Sequence, residues 1–214
     1  MAHPIGCMTG QILLASALIV LVEPMALGQN AAQSALPVWR VVNVTSDSAP
    51  GWLPTIEQSR MAEATLGEFL GAADSGNAEG TYQHFSDLNK RDMSLDAFKT
   101  DLMRFNARAG SVVERRIVKV TWTKDSPNAP IPGAYAAIDL ASRFVNIDRH
   151  CGYVVLYQPS KGGDFQVMRE EANFIDNVSA ERMKQEHSAA YLDSIWAQLS
   201  ANCPNYQGHS AKPN

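Results

Sequence analysis

Asp139, His150 and Tyr135 are the residues of this sequence whose side chains best suit proton transfer. A carboxylate or an imidazole acts as a general base when a desolvated pocket shifts its pKa. A phenol beside it can donate a hydrogen bond to an oxyanion forming on a small carbonyl compound. Arg143, Arg169 and Glu171 accompany Tyr135 and Asp139 as candidates for holding a ligand. Strict alternation along extended segments places Tyr135, Asp139 and Arg143 on one face, with Ile138, Leu140 and Phe144 on the other. In the next segment Asp148 and His150 oppose Cys151, Tyr153, Val155 and Tyr157. In the last, Arg169 and Glu171 oppose Met168, Glu170 and Phe174. The same residues support a plainer role, in which Asp139, Arg143, Arg169 and Glu171 form a cross-strand ion-pair ladder on the solvent face. The plainer role carries more weight, because structural ion pairs perturb titration as readily as active sites do.

Other chemistries find less support. No Gly-x-Ser-x-Gly frame presents a nucleophilic serine. No His-x3-His pair exists, and adjacent His150 and Cys151 point to opposite faces of a strand, so no metal site is expected. Gly162 and Gly163 lie in a turn between extended segments and nothing resembles a phosphate loop, so no cofactor is expected. The chain has 18 Lys and Arg against 22 Asp and Glu, a net charge of -4. That balance argues against a nucleic-acid partner, which requires clustered surplus positive charge. The pair Arg115-Arg116 follows Glu114 and reads as a solvated strand end, with an acidic ligand as the alternative.

The elements that must position these groups occupy one domain. The chain has 214 residues, 45% hydrophobic and 19% charged, enough apolar material for a packed core. Residues 1–28 carry Glu23 as their sole formal charge. Their stretch 12–22 is apolar except for Ser16, too short for the ~20 residues that span a bilayer as a helix. Pro24 and Ala26-Leu27-Gly28 then supply a helix break and a small-residue cleavage pattern, so residues 1–28 read as a secretory signal cut near Gly28. A retained anchor and a start at Met8 are the alternatives. The protein is expected in the periplasm or outside the cell, meeting membrane only through that segment. Cys7 leaves with the signal. Cys151 and Cys203 remain and are expected to form a disulfide, with two buried thiols as the alternative. Closing that loop contributes on the order of 3 to 4 kcal/mol in the chain-entropy account.

Residues 29–54 read as an extended lead-in with an edge strand near 39–44. The domain spans 55–176. Thr55 and Gln58 form a capping box for a helix burying Ala62, Leu66, Phe69, Leu70 and Ala73. A short helix follows with Tyr82, Phe85 and Leu88 inward, then one capped by Ser94 that buries Leu95, Phe98, Leu102 and Phe105 and stops at Gly110. From Ser111 the period shortens to two, giving strands over 112–123, 133–145, 149–158 and 165–175. In the first of them Val118, Val120 and Trp122 alternate against Arg115, Ile117, Lys119 and Thr121. Ser179 caps a C-terminal helix within 177–203, and 204–214 is a flexible tail. Helices, then four sequential strands, then one helix, with no βαβ alternation, predict an α+β fold: an antiparallel sheet with helices segregated on one face.

Helices leading into a strongly curved four-stranded sheet resemble the nuclear-transport-factor-2-like cone. Within that superfamily, residues 57–175 resemble the bacterial domain-of-unknown-function family 4019. The likeness rests on Gly76-x3-Gly80-x-Tyr82-x2-Phe85, on Arg108-Ala109-Gly110-x4-Arg115, on Pro130-x-Pro132-Gly133-x-Tyr135, and on Gly163-x-Phe165-x-Val167. It implies a cone-like sheet with a pocket between sheet and helices, and pairing of two copies through the open sheet. It implies no activity. Two functions follow as expectations. The first is an exported, non-enzymatic domain that binds a small molecule or a protein partner through the concave sheet. The second is a small-molecule isomerase or lyase using Asp139 or His150.

Overall fold

The computed structural model describes residues 41–44 and 52–201. Residues 1–28, read above as a secretory signal, most of residues 29–54, Cys203 and residues 204–214 lie outside the described residues. Among those described, no helix is long and apolar enough to cross a membrane.

The order of elements is β1 (Val41–Val44), α1 (Ile56–Asp74), α2 (Ala78–Gln83), α3 (Asp87–Asp92), α4 (Leu95–Ala109), β2 (Val112–Lys124), β3 (Gly133–Phe144), β4 (Ile147–Pro159), β5 (Gln166–Asp176), α5 (Asn177–Glu186) and α6 (Ala189–Ser200). The strands lie side by side in chain order, β1 to β5. Strands β2 to β5 form an antiparallel four-stranded sheet, and β1 adds a short parallel edge against β2. The fold class is therefore α+β.

Local chemistry sets the helix ends. Thr55 and Gln58 exchange side-chain and backbone bonds at 3.1 and 3.0 Å, which satisfies two backbone donors that α1 would otherwise leave unpaired. Ser94 caps α4, and Gly110 ends it at a φ of 70°, a backbone region that costs glycine little. Two expectations need correction. The short helix after residue 75 is two helices. The chain between them is pulled straight where Ser86 N–H donates to the Val167 carbonyl and Val167 N–H to the His84 carbonyl, at 2.9 and 2.7 Å. The C-terminal helix is also two, and its cap is Asp176, whose carboxylate accepts from Ser179 N–H at 2.8 Å.

The main core joins α1, α2 and α4 to one face of the sheet. Leu66, Phe69, Trp122, Ile138, Val154, Leu156 and Val167 are almost wholly buried there. Trp52 packs against Trp122 edge to face. Helices α5 and α6 cover the opposite face: Leu192 and Trp196 pack on Cys151 and Ile175. The C-terminal helices thus give the sheet a second covered face, where segregation on one face was expected. The apolar stripe of α6, Leu192, Ile195, Trp196 and Leu199, needed a surface of its own.

Candidate functional site

Strand β2 does not keep a period of two. Its pairing with β3 shifts between Ile117 and Lys119, an irregularity of the β-bulge kind. An extra residue at a bulge reverses the parity of everything beyond it. Arg115 and Ile117 therefore share the helix-facing side with Val120 and Trp122. Strict alternation had put them on opposite sides.

The bulge delivers a cation to the interior. Arg115 is only 9% exposed, and its Nη1 and Nη2 donate to Asp74 Oδ2 and Oδ1 at 2.6 and 2.9 Å. Asp74 is the last residue of α1. Arg115 Nε donates to Ser142 Oγ of β3 at 3.2 Å. A bidentate pair of this kind fixes both side chains and satisfies a guanidinium that burial would otherwise penalise.

Beside this pair lies a cavity of about 240 Å³ between α1, α4 and the sheet. Its apolar walls include Leu70, Phe98, Leu102, Phe105, Leu140, Phe144 and Phe174. The polar part combines Asp74, Asp101, Asn106, Arg115, Ser142, His150 and Glu170. The hollow has a sequence cause. Gly152 and Ala172 face each other across β4 and β5 and carry almost no side chain. A Cβ on Gly152 would come within 2.3 Å of the Glu171 carbonyl oxygen, so the two strands also approach too closely there for a larger residue.

Two titratable groups on the wall are displaced from their ordinary ranges. Burial pushes the His150 imidazole down to about 4, and the charge of Arg115 adds to the effect. It is therefore neutral at pH 7. Its ring stacks nearly parallel to Phe174 and meets Phe144 edge to face, yet its buried Nδ1 has no hydrogen-bond partner. Desolvation pushes the Glu170 carboxyl up to about 7, against the pull of Arg115 and with the repulsion of Asp74. The residue is nonetheless exposed, and solvent screens its carboxyl, so the shift is upward but smaller than full burial would give.

Of the residues singled out by type, only His150 presents its side chain to this cavity. Tyr135 lies on the opposite face, its hydroxyl donating to the Ile131 carbonyl at 2.6 Å and its ring against Tyr157. Asp139 sits on that face too, in register with Lys119 and Tyr153. Arg143 pairs with Glu114 across β2 and β3 at 3.6 Å. Arg169 pairs with Glu171 along β5 and lies over the Tyr153 ring. Tyr153 and Glu171 reach the cavity floor while their side chains turn away to that pairing. Arg143–Glu114 thus joins β3 to β2 on this face, and Arg169–Glu171 lies along β5. Asp74, Ser142 and Glu170 are not among the site candidates named from sequence, and Arg115, expected there as a solvated strand end, is buried instead. The available signal was Glu170, a charge on the same alternating set as Ala172 and Phe174.

Among the described residues, no three His, Cys, Asp or Glu converge as a metal site. Residues 65–168 match the family model described as "Protein of unknown function (DUF4019)". That domain belongs to this family. The matched span holds Asp74, Arg115, Ser142 and His150, and Glu170 stands two residues beyond it. No curated protein matches the chain.

Proposed function

We propose that this DUF4019 domain is an exported, non-enzymatic domain that binds a small organic molecule in the cavity between α1, α4 and the sheet. The observation that carries the reading is the cavity itself: an aromatic enclosure with a few convergent polar groups, the usual make-up of a ligand site. Its volume of about 240 Å³ falls below the usual range of such sites, so the ligand is small. The non-enzymatic part is supported by how the polar groups are committed. Tyr135, the expected oxyanion donor, spends its hydroxyl on Ile131 on the other face, and Arg115 spends three N–H groups on Asp74 and Ser142.

Export is supported by residues 1–28, with their short apolar run and small-residue break. The disulfide belongs to the same reading. Cys151 is fully buried beneath α6, and Cys203 follows the end of that helix by three residues. Mass spectrometry of protein recovered from the periplasm should find the two thiols linked and the chain beginning near residue 29. Two freely alkylated thiols would count against the linkage.

The binding reading is tested by calorimetric titration with benzyl alcohol. Saturable binding is expected in the wild type and its loss in Ala172→Phe, which places a ring in the cavity. Binding unaffected by that substitution would place the ligand elsewhere. A second reading, an isomerase or lyase with a carboxylate base, is favoured by one observation, the Glu170 carboxyl on the cavity wall, which its surroundings push above the usual carboxylate range.

A further inference from the structure

We infer that the ligand of this cavity carries a cationic amine, its ammonium received by Glu170 and its apolar body by Phe98, Phe105, Phe144 and Phe174. The inference rests on the cavity being a ligand site and names the ligand's chemistry.

The charges of the wall point this way. Asp74 of α1, Asp101 of α4 and Glu170 of β5 contribute carboxyl groups, and Arg115 of β2 is the cation among the lining residues. Arg115 is held by Asp74 through two bonds, and Asp101 accepts from Arg104 Nη1 at 3.0 Å. An incoming anion would therefore meet carboxyl groups and a guanidinium already paired. An incoming cation meets Glu170. The aromatic wall adds to the preference, since ring faces attract positive charge. Arg115 and Arg108 already lie over Phe144 and Phe174, with 5.7 and 5.1 Å to the ring centres.

A second, independent feature marks the place of a polar ligand atom. His150 is 9% exposed and lines the cavity, and its Nδ1 has no partner within the protein. A buried ring nitrogen without a bond is costly, and a ligand N–H or O–H would satisfy it. An ammonium carries enough donors for Glu170 and for a neutral imidazole nitrogen.

The groups around Glu170 set the pH behaviour. Asp74, Asp101, Arg115 and His150 share the cavity with it from α1, α4, β2 and β4, and Arg169 and Glu171 flank it on β5 and pair with each other on the far face. An ammonium beside Glu170 favours its ionised form, so binding releases a proton whenever the carboxyl was protonated beforehand. Affinity then rises with pH up to about 7 and levels off above it.

Benzylamine, benzyl alcohol and benzoate, titrated separately by calorimetry into the full exported chain, test this. Benzylamine should bind at least about tenfold more tightly than benzyl alcohol at pH 8. It should bind more weakly at pH 5.5 than at pH 8, because the ammonium gains only from the ionised carboxyl. Glu170→Gln should remove both the preference and the pH dependence. Benzoate binding more tightly than benzylamine, or benzylamine binding no better than the alcohol, would overturn the amine inference and leave the cavity a ligand site. Failure of all three compounds would overturn both. The pH series on unaltered protein decides the matter even if the Gln variant does not fold.

Discussion

The helix-facing side of the sheet has two ends built on opposite plans. At one end Val120, Trp122, Ile138, Val154 and Leu156 meet Leu66 and Phe69 of α1, and the space is filled. At the other, Arg115, Ser142, His150 and Glu170 meet α4 across a cavity, and Leu102 and Phe105 stay only partly buried. The same strands supply both ends. The parity of β2 reverses at the bulge between Ile117 and Lys119, and Gly152 and Ala172 leave a hole where Val154 and Leu156 would have filled it. One bulge and one pair of small residues therefore separate a core from a site.

The largest expected effect lies at the filled end. Trp122→Ala should cost roughly 3 to 5 kcal/mol in denaturant unfolding, because a wholly buried ring is lost into a close-packed region. Phe105→Ala should cost clearly less, since that ring already borders empty space. Equal losses would break the contrast.

Next comes the pH dependence of stability. His150 has a folded-state pKa lowered from 6.5 to about 4, so the unfolded chain binds the proton more readily. Its contribution is complete above about pH 6.5 and is lost as the pH falls toward 4, on the order of 3 kcal/mol in all. Glu170 has the opposite sign. Its folded-state pKa is raised, so it disfavours the folded state progressively as pH rises from about 4.5 to about 7. Thermal unfolding of His150→Gln across this range should lack the acid-side decline. Glu170→Gln should lack the loss on the neutral side.

Asp74→Asn should cost roughly 1 to 3 kcal/mol by leaving Arg115 without its ionised partner. It should also lower the midpoint of Glu170, since the repulsion from Asp74 is one of the forces holding that carboxyl up. Carbon NMR titration of the Glu170 carboxyl reads this directly. An unmoved midpoint would show that the groups of the open end act separately.

The smallest effect is again a contrast. Ala172→Phe should change stability by less than about 1 kcal/mol, because the cavity accepts the ring. Ala136→Phe, at the filled end, should cost about 1 to 3 kcal/mol by overpacking.

Much of this frame was legible in the sequence. The capping box at Thr55, the stripe on α4 and the change to period two after Ser111 each follow from local chemistry and match α1, α4 and β2 to β5. The site was less so. Arg115 looked solvated because alternation was counted without a bulge, and neither residue at that irregularity is a glycine or proline to mark it. Asp74 looked like a helix end, and its role depends on Arg115, 41 residues away. Tyr135 and Asp139 had suitable types, but their register places them on the other face. His150 was chosen for its chemistry, and its burial among Phe105, Phe144 and Phe174 depends on how α4 crosses the sheet.

The central claim is that the open end receives a ligand and the filled end does not. Aromatic carbon–proton NMR spectra recorded during a benzyl alcohol titration test it most directly. The rings of Phe105, Phe144 and Phe174 should shift together and saturate, while Trp122 and Phe165, packed edge to face at 5.9 Å in the filled core, stay in place. Shifts centred on Trp122 and Phe165, or none at Phe105, Phe144 and Phe174, would contradict it.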